Sequence, residues 1–194
     1  MFVRQAAEFD HALERNDCEP DFVKWLSTGS NLTDVRSVYL GYSEIKAIDH
    51  VIDTDATPKM LIGWKIEEHR GMGRVKIERR GGDLYANGKK VVRFLSPNQK
   101  GGKVIKGHKL REELAKKPVL NAVVRDYLRE HPELIPEEWK NGATYFWGSI
   151  FRDDSTGYLY VTGFDWHDGQ WRWIFLWLAS GWFSGEPAAL LASS

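Results

Sequence analysis

Residues 158–178 read YLYVTGFDWHDGQWRWIFLWL, two alternating aromatic runs on either side of Asp168-Gly169. An Asp-Gly pair closes a two-residue hairpin because both positions tolerate positive φ. His167 then opposes Gln170. Counting outward, Trp166 faces Trp171, Phe164 faces Trp173 and Tyr160 faces Trp177, so strand alternation puts all six rings on one side. A third strand, Thr144 to Arg152, precedes the hairpin through Asp154-Ser155-Thr156-Gly157. An even-residue connection pairs Phe151 with Tyr160, Trp147 with Phe164 and Tyr145 with Trp166, which brings eleven rings to one face. Phe146, Ile150, Leu159, Val161, Ile174, Leu176 and Leu178 take the other face. A slip of one residue at that first turn would break the alignment.

Between Trp139 and Phe183 stand 15 aromatic residues, including seven of the nine tryptophans. A soluble monomer exposes only a few hundred Å² of contiguous apolar surface, so most of these rings are expected beneath the rest of the chain or a partner. Trp166 and Trp171, next to the turn, are the candidate contact rings. An exposed indole there could stack on a sugar or an unpaired base, at about 1–3 kcal/mol per base.

Upstream, period-two patterning from Met60 predicts strands at Leu61–Glu68, Arg74–Arg79, Asp83–Ala86 and Lys89–Leu95, with Asn87-Gly88 as a type I′ turn. Leu110 to Lys116 begins a helix. A second helix takes Pro118 at its first position, shows an apolar face at Val119, Leu120, Val123, Val124, Tyr127 and Leu128, and stops at His131-Pro132. Residues 4–27 read as two short helices broken near Pro20. Thr33 to Val51 also fits a helix, and Asp53, Asp55, Thr57 and Pro58 read as a linker. The fold class is therefore α+β, with an acidic, mostly helical part at 1–58 and a part at 59–194 holding the basic strands and the antiparallel aromatic meander. The two are expected to form one compact unit.

The 194 residues carry 27 Lys/Arg and 27 Asp/Glu, but the charges are segregated: −6 over 1–58, +11 over 59–131 and −5 over 132–194. Lys89 to Lys117 contains ten basic residues and two acidic ones. Lys100, Lys103, Lys106, Lys109 and Arg111 are candidate polyanion contacts, since clustered cations gain affinity for phosphates through counterion release. We favour the alternative that acidic flanks neutralise the strip, within one chain or between self-associating copies. One cysteine, Cys18, excludes a disulfide framework. An acidic start at Glu8 and Asp10, and a longest apolar run of only Trp173 to Phe183, imply a cytoplasmic protein without membrane contact. Asn31-Leu32-Thr33 is then an idle sequon.

No catalytic, metal or cofactor signature emerges. Asp165, His167 and Asp168 make the densest polar group, which reads as a solvated turn. Asp49, His50, Asp53 and Asp55 lack the glycine and terminal acid of a calcium loop. Gly71-Met72-Gly73 and Gly101-Gly102-Lys103 lack phosphate-loop spacing, and Ser149 and Ser184 lie outside any nucleophile elbow.

The strings KLREEL (109–114), KPVLNA (117–122), HPELIPEEWK (131–140) and Phe146-Trp147-Gly148 continue through Leu159-Tyr160-Val161, Trp171, Trp173, Trp177-Leu178, Trp182 and PAALLAS (187–193). Over residues 89–193 this resembles a group of small uncharacterised bacterial proteins. The resemblance implies an intact aromatic meander and assigns no catalytic residue. His167-Asp168-Gly169-Gln170 departs from it where a second glycine is expected. The reading is a non-catalytic binding or protein-interaction protein without cofactor. Nucleic-acid binding through the basic strip is the alternative, and a sugar-binding module or hydrolase at the 165–171 hairpin is the weaker one.

Overall fold

The computed structural model describes residues 11–13, 15, 20–43 and 49–192. The chain divides into two compact units, Met1–Ile48 and Asp49–Ser194. In the first, α1 (Pro20–Leu26) and α2 (Asn31–Tyr39) bury none of their residues. Phe22 and Trp25 stack at 5.9 Å, and the Asn31 side chain donates to the Trp25 carbonyl at 2.6 Å. Cys18, and the helix expected before Pro20 except at 11–13 and 15, lie outside the described residues. The helix expected from Thr33 to Val51 stops at Tyr39, and Val51 already belongs to a strand.

The second unit carries β1 (Val51–Asp53), β2 (Trp64–His69), β3 (Arg74–Arg80), β4 (Asp83–Ala86), β5 (Lys89–Phe94), β6 (Ile105–Lys106), α3 (Gly107–Leu114), α4 (Ala122–Glu130), β7 (Thr144–Tyr145), β8 (Ser149–Asp153), β9 (Leu159–His167), β10 (Gln170–Trp177), β11 (Gly181–Trp182) and β12 (Ala188–Leu191). Ten strands form one sheet in the order β1-β3-β4-β5-β12-β7-β9-β8-β2, with β10 on the other side of β9; β6 and β11 pair separately. All contacts are antiparallel except β7 with β12. The fold is α+β with its helices beside a mainly antiparallel sheet.

Both local turn readings hold. Asn87 and Gly88 have φ of 49° and 73°, and Asp168 and Gly169 have 49° and 77°. The second turn pairs His167 with Gln170, Trp166 with Trp171, Phe164 with Trp173 and Tyr160 with Trp177, as expected. Phe151 also pairs with Tyr160. The expected pairs Trp147–Phe164 and Tyr145–Trp166 do not form. Instead Thr144 opposes Phe164 and Tyr145 opposes Gly163, because the chain leaves the ladder after Phe146, whose N–H still donates to the Thr162 carbonyl, and rejoins it only in β8.

An odd excess of residues reverses strand parity. Tyr145 and Trp147 therefore pack on Trp182 on the far face, at 4.8 and 4.6 Å, while Phe146 joins Phe164 at 5.2 Å. The excursion is held by the segment leading into α4: Gly148 donates its N–H to the Leu120 carbonyl, and Arg70 donates to the Gly148 carbonyl.

Each face of the sheet has its own core. Leu120, Val124 and Leu128 cover Phe146, Phe164 and Trp139 on one side, and Leu110 and Leu114 of α3 cover Trp147, Ile150, Val161 and Trp182 on the other. Of the 15 clustered rings, seven are buried and only Tyr158, Phe175, Trp177 and Phe183 are exposed.

Two local expectations are corrected. Pro118 does not start a helix, because Leu120 and Leu191 donate to the Ala189 and Pro118 carbonyls and hold residues 118–120 extended. Asn121 caps α4 instead, accepting from the N–H groups of Val123 and Val124. The presumed linker is part of the fold: Ile52, Thr54 and Pro58 are buried, and the Thr54 hydroxyl donates to the Gly73 carbonyl while accepting from the Met72 N–H. Among the described residues, no helix is long and apolar enough to cross a membrane.

Candidate functional site

The structure spreads the basic candidates over two environments. Lys100, Lys103 and Lys106 are exposed with no carboxylate partner among the described residues, and Lys106 donates to the Ala179 carbonyl. Lys109 pairs with Glu112 at 3.0 Å, and Arg111 pairs with Glu68 at 2.7 Å. Glu68 also binds Arg70 at 2.7 Å, and the three line a hollow of about 380 Å³ with His108. The acid that neutralises Arg111 thus comes from the basic segment itself.

Burial opposes ionisation of Glu68, but hydrogen bonds from Arg70 and Arg111 and their charges outweigh it and hold its pKa below the ordinary value. Its stabilising contribution is full above the ordinary glutamate pKa and is lost as pH falls through the lowered folded value. Glu68→Gln should therefore cost about 1–2 kcal/mol at pH 7, discounted for partial exposure. Urea unfolding should show the gap to wild type closing in strong acid.

Trp166 and Trp171 are half-buried and meet edge to face at 5.2 Å, with Lys140 Nζ 4.4 Å from the Trp166 ring centre. The more exposed rings, Phe175 and Trp177, sit at the opposite end of the hairpin. Asp165 reaches Arg172 across the strands, whereas His167 meets Asp168 at the exposed tip. Asp49 pairs with Lys76, and His50 bonds to Tyr127. Among the described residues, no three potential metal ligands converge.

A hydroxyl–imidazole pair does occur inside the unit. Ser149 Oγ lies 2.9 Å from His69 Nδ1 and accepts from the Ala122 N–H at 3.0 Å; His69 Nε2 lies 2.9 Å from the Thr54 carbonyl. A carbonyl can only accept, so Nε2 carries a proton, and in the neutral ring Ser149 donates to Nδ1. Ser149 is fully buried. Asn121 completes the network by donating to the Thr54 and Arg70 carbonyls. These groups satisfy one another and tie the residue after β1 to β2, β8 and the start of α4.

The most chemically distinctive surface lies where two arginines of α4 meet Trp173 of β10. Arg125 is fully buried; its Nη2 donates to Asp126 Oδ1 at 2.6 Å and to the Lys59 carbonyl at 2.8 Å, and Nη1 donates to Thr162 Oγ1. Asp126 Oδ2 accepts the Lys59 N–H at 2.7 Å, so residue 59 is clamped at both backbone groups. Burial pushes the Arg125 pKa down and the Asp126 pKa up, each opposed by the other's charge.

Both Arg125 and Arg129 sit over the ring of Trp173, at 4.2 and 4.8 Å from its centre. Lys59 pairs with Glu130 at the rim. Arg129 is exposed and has no carboxylate partner among the described residues, and the buried Trp173 Nε1–H finds no protein acceptor there.

Two hollows share Lys59 and Trp173 as walls. The polar one, about 320 Å³, adds Asp126, Arg129 and Glu130. The apolar one, about 140 Å³, is lined by Met60, Leu61, Trp64, Thr162, Ile174 and Phe175. Trp64 stacks on Tyr160 at 4.7 Å and meets Phe175 at 5.3 Å. Two ion pairs balance, leaving the Arg129 charge in excess beside an aromatic slot about large enough for one benzene ring.

Sequence reasoning missed this cleft. One signal was present: Arg125 and Arg129 are a like-charge i,i+4 pair, which a solvated helix disfavours unless something else engages the cations. No family model, curated protein or solved structure matches this chain, so geometry alone carries the functional reading.

Proposed function

We propose that this chain is a non-catalytic binding protein whose ligand seat is the cleft around Trp173. The ligand class is a small organic anion, a carboxylate or phosphate ester, carrying a ring or a short apolar group. The observation that supports it is Arg129, an exposed guanidinium 4.8 Å from the centre of an indole ring, with no carboxylate in ion-pair contact among the described residues, in the polar hollow that shares Trp173 with the apolar one. An anion on Arg129 gains charge-assisted hydrogen bonds, while its apolar part displaces water from the Trp64–Phe175 slot.

Calorimetric titration with phenyl phosphate and benzoate should give saturable binding in the micromolar-to-millimolar range, and benzyl alcohol should bind at least tenfold more weakly. Arg129→Gln should reduce anion affinity by about ten- to a hundredfold, one charged hydrogen bond being worth about 1.5–3 kcal/mol. No binding of either anion at 10 mM, or equal affinity in the variant, would contradict the assignment.

A second reading rests on Lys100, Lys103 and Lys106, the strip members without a carboxylate partner. For a polyanion held there, affinity for a single-stranded oligonucleotide should fall steeply with salt and weaken when the three lysines become glutamine. Arg129→Gln should leave that binding unchanged.

A further inference from the structure

The sheet has three lateral edges, and two carry the features that keep edges from pairing. Strand β1 is three residues long. Strand β2 carries Lys65, Glu67 and Glu68 and has a register irregularity between Ile66 and Glu68. Strand β10 differs: its eight residues, QWRWIFLW, contain no proline, lysine or acid, and pair only with β9. Its one charge, Arg172, is turned to Asp165 of the neighbouring strand.

The register shows which backbone groups this edge offers. In a two-residue hairpin the closing pair, His167 with Gln170, is hydrogen-bonded, and such pairs recur at every second residue. Leu178 N–H donating to the Leu159 carbonyl fixes the same parity at the other end. Even-numbered residues of β10 therefore bond inward to β9. The backbone N–H and C=O groups of Trp171, Trp173, Phe175 and Trp177 point away from the sheet, and among the described residues only the Trp177 carbonyl is engaged, by Ser180 N–H. Phe175 is 51% exposed and Trp177 36%.

We propose that β10 is a self-association edge, pairing antiparallel with β10 of a second copy about a twofold axis at Ile174. This occupant follows from the strand's own symmetry. Four outward residues spaced two apart all find partners in one register alone: Trp171 against Trp177 of the second copy, and Trp173 against Phe175. Every outward position is aromatic, so the twofold continues the ring face across the interface as cross-strand aromatic pairs. Isologous closure of this kind gives a dimer and removes both free edges at once.

Sedimentation velocity on the full chain in 150 mM salt should show a dimer whose population rises between about 1 and 100 µM. Phe175→Lys, and separately Phe175→Pro, which deletes an outward N–H without touching the β9 ladder, should both give folded monomers by circular dichroism. In a Cys18→Ser background, Ile174→Cys lies on the twofold axis and should form an intermolecular disulfide on mild oxidation. A wild-type chain still monomeric at 100 µM would overturn the proposal. So would a dimer that survives Phe175→Lys with no cross-link at 174, which would place the interface elsewhere. Protected amides at 171, 173 and 175 in a monomer would mean that the edge is covered within the chain, and would overturn it as well.

Discussion

Replacing Arg125 by methionine is expected to cost about 3–5 kcal/mol of folding free energy at pH 7, because removing one partner of a buried pair strands the other's charge. Asp126 would keep the Lys59 N–H at 2.7 Å but lose both guanidinium contacts. In the variant its carboxylate stands alone in a desolvated site. Protonation relieves that cost, so the deficit should shrink as pH falls toward and below the ordinary aspartate pKa of about 3.9.

A double variant, Arg125→Met with Asp126→Asn, keeps an acceptor for Lys59 without a charge, and should recover about half of the loss. It should not recover all of it, since the Thr162 hydroxyl and the Lys59 carbonyl still lack their Arg125 donor. Chemical unfolding at pH 7 and pH 4 of the wild type and both variants checks the amounts and the sign. A single-variant deficit that stays constant with pH would mean that Asp126 is not the stranded group.

Gly163→Ala is the second large effect. A Cβ at this position would lie 2.2 Å from the Thr144 carbonyl oxygen and 3.1 Å from the Tyr145 Cα. Those are backbone atoms of β7, which cannot swing aside as a side-chain tip can. The strand must separate from β9 at Thr144–Phe164 and Tyr145–Gly163, and overpacking of this sort costs about 3 kcal/mol or more. Near-ultraviolet dichroism should weaken as well, since Tyr145 meets Trp182 directly beyond this contact. A variant as stable as wild type would show that β7 is not wedged against β9 here.

What the sequence disclosed follows the range of the forces involved. The Asp168-Gly169 and Asn87-Gly88 turns are set by the φ preferences of adjacent residues, so the His167–Gln170 ladder could be counted from them. The departure after Phe146 could not, because its cause is the Leu120 carbonyl, 28 positions upstream of Gly148, and parity changes with that single insertion. Asp53 to Pro58 has the composition of a linker, yet Thr54 is held by Met72 and Gly73 and Pro58 is buried. Composition reports solubility and not the partner that a distant strand supplies. The apolar stripe of α4 was legible from Val124 and Leu128, whereas the burial of Arg125 depends on Lys59 and Thr162, far away in both directions.

The cleft draws on the same distant contacts. Strand β10 contributes Trp173 and Phe175 by alternation, α4 contributes Arg125 and Arg129 one turn apart, and the clamp on residue 59 brings Lys59 to both hollows. Each follows from a fold element that the sequence partly announces, and their convergence comes from tertiary packing.

The most direct test maps small molecules onto the folded protein by amide and tryptophan-indole NMR shifts, using a fragment set of aromatic carboxylates, phenyl phosphates and neutral analogues. Under the anion-seat assignment the charged fragments shift the Trp173 indole N–H together with the amides of Lys59, Arg129 and Phe175, and the neutral analogues do so far less. Shifts clustered instead around Glu68 and Arg111, or no saturable shift at Trp173 with any anion, would contradict it.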